Sequence, residues 1–237
     1  PNPEDKTAMK SICDAVKYNH ADLGIIFDTD VDRSAVVDKD GEPINRNSLI
    51  ALISSIILRE HPGSTIVTDS ITSEGLTLFI EQELKGKHHR FKRGYKNVIN
   101  EAIRLNSDGE ESWLAIETSG HAALKENYFL DDGAYLVAKL LVEAARLNAQ
   151  GMDLSSLIKS LRQPVESTEM RFSITHDHFL EYGRTVLENL QQEVGFVSGW
   201  KIVTPNYEGL RVQCTNPEET GWFLTVCLCM IRLCLLI

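Results

Sequence analysis

Nothing in the 237 residues supplies a Cys-x-x-Cys pair, and the five cysteines are placed oddly. Cys13 and Cys214 stand alone, while Cys227, Cys229 and Cys234 crowd the end of the chain. That spacing does not read as zinc ligation, and an odd, end-loaded count argues against a disulfide framework. A reducing compartment follows, the cytoplasm or a plastid. Positive charge is also in short supply: 24 Lys and Arg against 34 Asp and Glu leave a formal charge of −10. Such an acidic surface repels phosphate backbones and disfavours general nucleic-acid binding, but leaves room for a local basic pocket for a phosphorylated metabolite. No apolar run reaches the roughly 20 residues of a membrane-spanning helix. The run at 224–237 has 12 apolar residues of 14, interrupted by Thr225 and Arg232. There is no internal repeat and no low-complexity tract, and the sequence as read opens at Pro1 without an initiator methionine or a targeting segment.

What is present is ordinary. Apolar content of 43% and charged content of 24% match an average soluble globular protein, which excludes disorder and collagen-like or coiled-coil architecture for the whole chain. At about 150 residues per domain, the length suggests one to two domains. Helical periodicity marks residues 4–19, 47–60, 73–84, 96–105 and 135–148. Short apolar or β-branched runs mark strands at 21–27, 34–37, 65–68 and 113–116, and Asp40-Gly41 reads as a hairpin turn. Strands alternating with helices predict an α/β layer with a mixed, largely parallel sheet. After Gly151 the pattern changes to α+β, with a short helix at 153–161, strands at 170–174, 201–204 and 209–213, and a helix at 178–194. The boundary falls within 149–166.

Phe27-Asp28-Thr29-Asp30-Val31-Asp32-Arg33 carries the strongest chemistry. Carboxylates at i, i+2 and i+4 leave a strand end on a tight turn, where they can converge on a hard divalent cation such as Mg²⁺. Arg33 follows at once, so a cation and a guanidinium could face one phosphate, as phosphoryl transfer requires. An EF-hand fails, because Arg33 and Lys39 occupy the positions that need Gly and Glu. An Asp-x-Asp after a strand also occurs in aspartyl phosphatases of the haloacid dehalogenase type, with Asp28 as nucleophile and Asp30 as acid/base. A solvated acidic turn is the third reading. Downstream, Glu117-Thr118-Ser119-Gly120-His121 offers a carboxylate, a hydroxyl and an imidazole around a Gly, a set able to grip vicinal sugar hydroxyls. Lys92-Arg93-Gly94-Tyr95-Lys96 puts cations before a helix start, where an anion can bind.

Together these motifs resemble the α-D-phosphohexomutases, the phosphoglucomutases and phosphomannomutases. Pro1-Asn2-Pro3-Glu4 precedes the Asp loop by one helix and one strand, as in that family. The family loop Asp-Gly-Asp-Gly-Asp-Arg keeps its three Asp and its Arg here, with Thr29 and Val31 in place of the glycines. Glu-x-Ser-Gly-His is matched by Glu117, Ser119, Gly120 and His121, and Asp-Asp-Gly by Asp131, Asp132 and Gly133. Four motifs in order outweigh the phosphatase reading.

The resemblance implies Mg²⁺ on Asp28, Asp30 and Asp32, with Arg33 at the transferring phosphoryl group. It places Glu117, Ser119 and His121 on the hexose, Arg93 in substrate binding and Lys96 as a catalytic cation beside Tyr95, which stands where some members have His. It implies three regions: the end of the second family domain at 1–40, the sugar-binding domain at 41–150, and an incomplete fourth domain at 151–237. The phosphoserine loop Thr-x-Ser-His-Asn-Pro is absent, and the segment from Leu224 departs from the family pattern as a frameshift or altered splice junction would make it. The expectation is a hexose-phosphate-binding chain that is inactive alone, or a non-catalytic pseudoenzyme, with an exposed sheet edge and apolar tail at 224–237.

Overall fold

A computed structural model gives the fold and describes residues 2–216, 220–228 and 233–236. The chain divides into two compact units, Pro1–Gln163 and Pro164–Ile237.

In the first unit, helix α1 (Lys6–Asn19) starts at Asp5, whose carboxylate accepts from the Ala8 N–H at 2.8 Å. It packs on the antiparallel hairpin β1 (Leu23–Phe27) and β2 (Ser34–Asp38), extended by β3 (Pro43–Ile44) beyond the expected Asp40-Gly41 turn. Met9, Val16, Ile26, Ala35 and Val37 form their small core.

Helix α2 (Arg46–Glu60) is buried along its length from Leu49 to Leu58. There follow β4 (Thr65–Thr68), α3 (Glu74–Leu78), β5 (Lys87–Arg90), α4 (Tyr95–Ser107), β6 (Ser112–Ile116), β7 (Ala122–Leu124) and α5 (Gly133–Asn148). The sheet order is β5-β4-β6-β7, with β4 parallel to β5 and β6, and β7 antiparallel to β6. One core joins α2, α3 and α5 through Leu49, Ile53, Leu76, Phe79, Leu136 and Leu140. A second joins α4 to the sheet through Val67, Val98, Ala102, Leu105, Ala115 and Ala123. The architecture is α/β, a mixed sheet flanked by helices. The chain leaves β4 toward β5 and returns to β6 on the other side, so the loops after β4 and β6 diverge from neighbouring strand ends. Ligands of open α/β sheets collect at such a crevice.

Three details differ from the sequence reading. Strands β5 and β7 were not expected. The helix expected at 73–84 is split, α3 passing into one π-helical turn, Phe79–Glu83. The helix expected at 153–161 is a single 3₁₀ segment, Leu154–Ile158, capped by Asp153.

Among its described residues, the second unit is an antiparallel sheet with one helix. It contains β8 (Met170–Ser173), α6 (Phe179–Val194), β9 (Trp200–Ile202), β10 (Leu210–Thr215), β11 (Thr220–Leu228) and β12 (Leu233–Leu236), in the order β8-β12-β11-β10-β9. Val194, Leu210 and Val212 lie between helix and sheet. The open sheet edge expected at the tail is corrected here. Strand β11 runs through Leu224 without interruption, and β12 pairs with β11 on one side and β8 on the other. An apolar run with strand propensity is used as an inner strand, which satisfies its backbone groups on both sides. Residues 229–232 and 237 of that run lie outside the described residues. No helix among the described residues is long and apolar enough to cross a membrane.

Candidate functional site

The register of the first hairpin pairs Phe27 with Ser34, so residues 28–33 must turn between two strand ends. Arg33 closes the turn on Asp28. Its backbone N–H donates to Asp28 Oδ1 at 3.1 Å and its Nε to Oδ2 at 2.6 Å. Asp28, Asp30 and Asp32 each bring one oxygen into a group whose members lie within 4.8 Å of one another. Asp28 is buried, Asp30 exposed and Asp32 intermediate. Burial pushes the Asp28 carboxyl up, but the Arg33 hydrogen bonds outweigh it and hold the group below its ordinary value. Burial lifts the Asp32 carboxyl above its ordinary value, with the Asp28 charge adding to the effect and His121 opposing it. Asp32 Oδ1 is buried with no hydrogen-bond partner. Convergent carboxylates with an orphaned buried oxygen fit a hard cation that takes oxygen ligands.

The second loop follows β6. The Glu117 N–H donates to His121 O at 2.9 Å and the Gly120 N–H to Glu117 O at 3.0 Å. Gly120 has φ +100°, and a Cβ there would lie 2.5 Å from Ser34 O, so no other residue fits. This close approach joins the loops. Arg33 and His121 form an antiparallel bridge, and the Ser34 N–H donates to Gly120 O at 3.3 Å. A third segment completes the set. Gly133 N–H donates to Val31 O at 3.1 Å, and a Cβ on Gly133 would stand 2.9 Å from that oxygen.

His121 Nδ1 is 2.7 Å from Asp131 Oδ2 and 3.6 Å from Asp32 Oδ2. Burial pulls the imidazolium down, but the Asp131 hydrogen bond overrides it and raises the His121 pKa. Glu117 Oε1 accepts from the Gly94 N–H at 2.6 Å and Oε2 from Ser119 Oγ at 3.3 Å. Its pKa is raised by burial against the pull of the Gly94 N–H. The Tyr95 ring stacks on His121, with centroids 4.9 Å apart.

The hairpin loop, the loop after β6 and the turn before α5 thus bring Asp28, Asp30, Asp32, Arg33, Glu117, Ser119 and His121 together. Arg93 and Lys96 flank the Gly94 that touches Glu117. Lys96 is exposed, its Nζ 5.8 Å from the Tyr95 ring centroid, and Arg93 acts electrostatically on Asp69.

Residues 1–41 match the family model of phosphoglucomutase/phosphomannomutase α/β/α domain II, and residues 45–165 that of domain III. The chain belongs to the phosphoglucomutase/phosphomannomutase family. A phosphoglucomutase of Neisseria gonorrhoeae is 28% identical over 214 residues, covering 90% of this chain and 43% of that protein. A phosphoglucomutase/phosphomannomutase family protein from Burkholderia thailandensis has a structure that matches all of this chain and 46% of its own, at TM-score 0.79 and 27% identity. An N-acetylphosphoglucosamine mutase of Aspergillus fumigatus, solved with GlcNAc-6P and magnesium, matches 90% of this chain and 48% of its own, at TM-score 0.51 and 15% identity, a likeness of fold. This phosphohexomutase-family chain therefore spans less than half the length of these relatives.

Two residues at this site were not assigned a role from the sequence. Asp131 stands out in the sequence only as part of Asp-Asp-Gly, yet it is the partner of His121. Asp69 follows β4, and its signal was a lone acid after a β-branched run, which spacing alone does not single out. In the phosphatase reading Asp28 is the nucleophile, but Arg33 engages both of its oxygens.

Proposed function

We propose that the chain is the metal- and hexose-phosphate-binding portion of a phosphohexomutase, whose parent reaction moves phosphate between O1 and O6 of a hexose phosphate. The bridge between Arg33 and His121 carries this reading, because it makes one site of the aspartate loop and the Glu117–His121 loop. Asp28, Asp30 and Asp32 would hold Mg²⁺, which supplies charge neutralisation to phosphoryl oxygens when bound. Glu117 accepts hydrogen bonds from vicinal sugar hydroxyls, Ser119 adds a hydroxyl beside it, and the His121 imidazolium, fixed by Asp131, donates. Arg33, Arg93 and Lys96 provide cations for phosphate, with Arg33 held in place by Asp28. The 237 residues hold no Thr-x-Ser-His-Asn-Pro segment. We infer that by themselves they bind hexose phosphate without turning it over.

Calorimetric titration with glucose 1-phosphate in Mg²⁺ tests the reading. Binding that weakens about tenfold in Glu117→Gln, the loss of one charged hydrogen-bond acceptor, is expected. No glucose 6-phosphate should form when glucose 1,6-bisphosphate is added. Binding indifferent to Glu117→Gln would overturn the site, and steady turnover would overturn the inactivity.

A further inference from the structure

We propose that Asp69 and Thr118 form a latch that positions the Glu117–His121 loop, with Asp69 acting through Thr118 on Glu117 and Ser119. The proposal rests on the hexose-phosphate reading of that loop. Thr68 of β4 pairs with Ile116 of β6, so Asp69 and Glu117 begin adjacent loops at the crevice between the two strand ends. Asp69 is 2% exposed. Its Oδ2 accepts from Thr118 Oγ1 at 2.6 Å and from the Thr118 N–H at 3.3 Å, while Oδ1 is buried without a partner. Thr118 is itself buried, so the second place of the sugar loop points inward. Thr118 and Ser119 are the middle residues of the turn that the Gly120 N–H closes on Glu117 O at 3.0 Å, and across that turn Ser119 Oγ meets Glu117 Oε2.

Burying a carboxyl with an orphaned oxygen costs folding free energy. The charged groups that act on it are Glu117, which disfavours its ionisation, Arg93 from the segment before α4, and Arg90 of β5. Burial, opposed by the Thr118 hydroxyl, pushes the Asp69 pKa up to about 7. A group so poorly placed for stability, yet doubly bonded to one loop residue, is suited to holding that residue's geometry.

Thr118→Val keeps the shape and removes the hydroxyl, and Thr118→Ser restores it. Titration of the 237-residue chain with glucose 1,6-bisphosphate in Mg²⁺ should give a Kd raised about tenfold in Thr118→Val and in Asp69→Ala. Thr118→Ser should return to near the starting value, and the double variant should lose no more than either single one. Independently of any sugar, the Thr118 and Gly120 amides should exchange about tenfold faster in Thr118→Val, with α4 amides unchanged. Unchanged exchange in the loop, or equal acceleration across the whole first unit, would overturn the latch. Faster loop exchange in a chain that binds no sugar phosphate would support the latch and sink the hexose-phosphate reading instead.

Discussion

Val31 holds φ +66° between Asp30 and Asp32, with its carbonyl accepting from Gly133. The left-handed region costs an L-residue about 1–2 kcal/mol, and a β-branched side chain is a poor fit there. A glycine would relieve that strain but gain about 0.4–1 kcal/mol of unfolded-state freedom. Val31→Gly should therefore stabilise the chain by about 1 kcal/mol, read by thermal unfolding in EDTA so that metal does not contribute. A lowered Tm would refute the strain. Asp69 gives a second prediction at this scale. Its folded pKa of about 7 lies above the ordinary Asp value, so between about pH 4 and pH 7 the folded state carries a proton that the unfolded state has lost. Stability from this group is greatest at low pH and falls as pH rises through that window, by about 4 kcal/mol in all. In urea unfolding, Asp69→Asn should thus gain on the parent between pH 5 and pH 8. An equal difference at both pH values would show that the group does not titrate as described. The sequence displayed the carboxylates that form motifs. It could not display Asp69, whose role comes from a contact with a residue far along the chain.

Elements were legible where hydrophobic period marked them. Helices α2, α4 and α5 and strands β4 and β6 lie within a residue or two of the expected bounds. Strand β5 was invisible, because Lys87-His88-His89-Arg90 has no apolar pattern to read. Polar partners hold it in place. His88 sits 2.8 Å from both Thr68 and Thr77, His89 is 2.9 Å from Glu101, and Arg90 donates to Thr72 at 3.1 Å. Charge also joins helices. Arg59 of α2 donates to both oxygens of Glu143 of α5 at 2.7 and 2.8 Å, and Arg146 adds bonds at 2.9 and 2.6 Å. These hydrogen bonds, from Arg146 and then Arg59, hold the nearly buried Glu143 carboxyl at about 2. A depressed carboxylate pKa contributes stability above the unfolded value near 4 and loses it as pH falls through 4 toward 2. The arginines are partly solvated, which discounts the effect. Glu143→Gln should cost about 2 kcal/mol at pH 7 and much less at pH 2.5 in urea unfolding. A penalty independent of pH would assign the loss to packing.

At the scale of the whole molecule, the site and the smaller of the described cores lie in different units. Every residue assigned to metal or sugar belongs to Pro1–Gln163, which also holds the large core around α2. Among the described residues the second unit has the smaller buried core, and beside α6 it has an open cleft of about 1220 Å³, lined by Phe172, Ile174, Tyr182, Leu190, Trp200 and Phe223. Apolar side chains that face an open cleft bury less surface and so add less to stability. The tryptophans divide the same way, Trp113 in the first unit and Trp200 and Trp222 in the second. Fluorescence can therefore follow each unit. In urea, Trp113→Phe should report an early transition of the second unit that added Mg²⁺ and glucose 1,6-bisphosphate leave in place. The variant with Trp200 and Trp222 replaced by Phe should report a later transition, and the ligands should move it upward. A ligand that binds only the folded form adds about 2.7 kcal/mol at a hundred times its Kd, enough to separate the curves. A single transition at both reporters, shifted equally by ligand, would mean that the two units unfold as one and that occupation of the site stabilises them together.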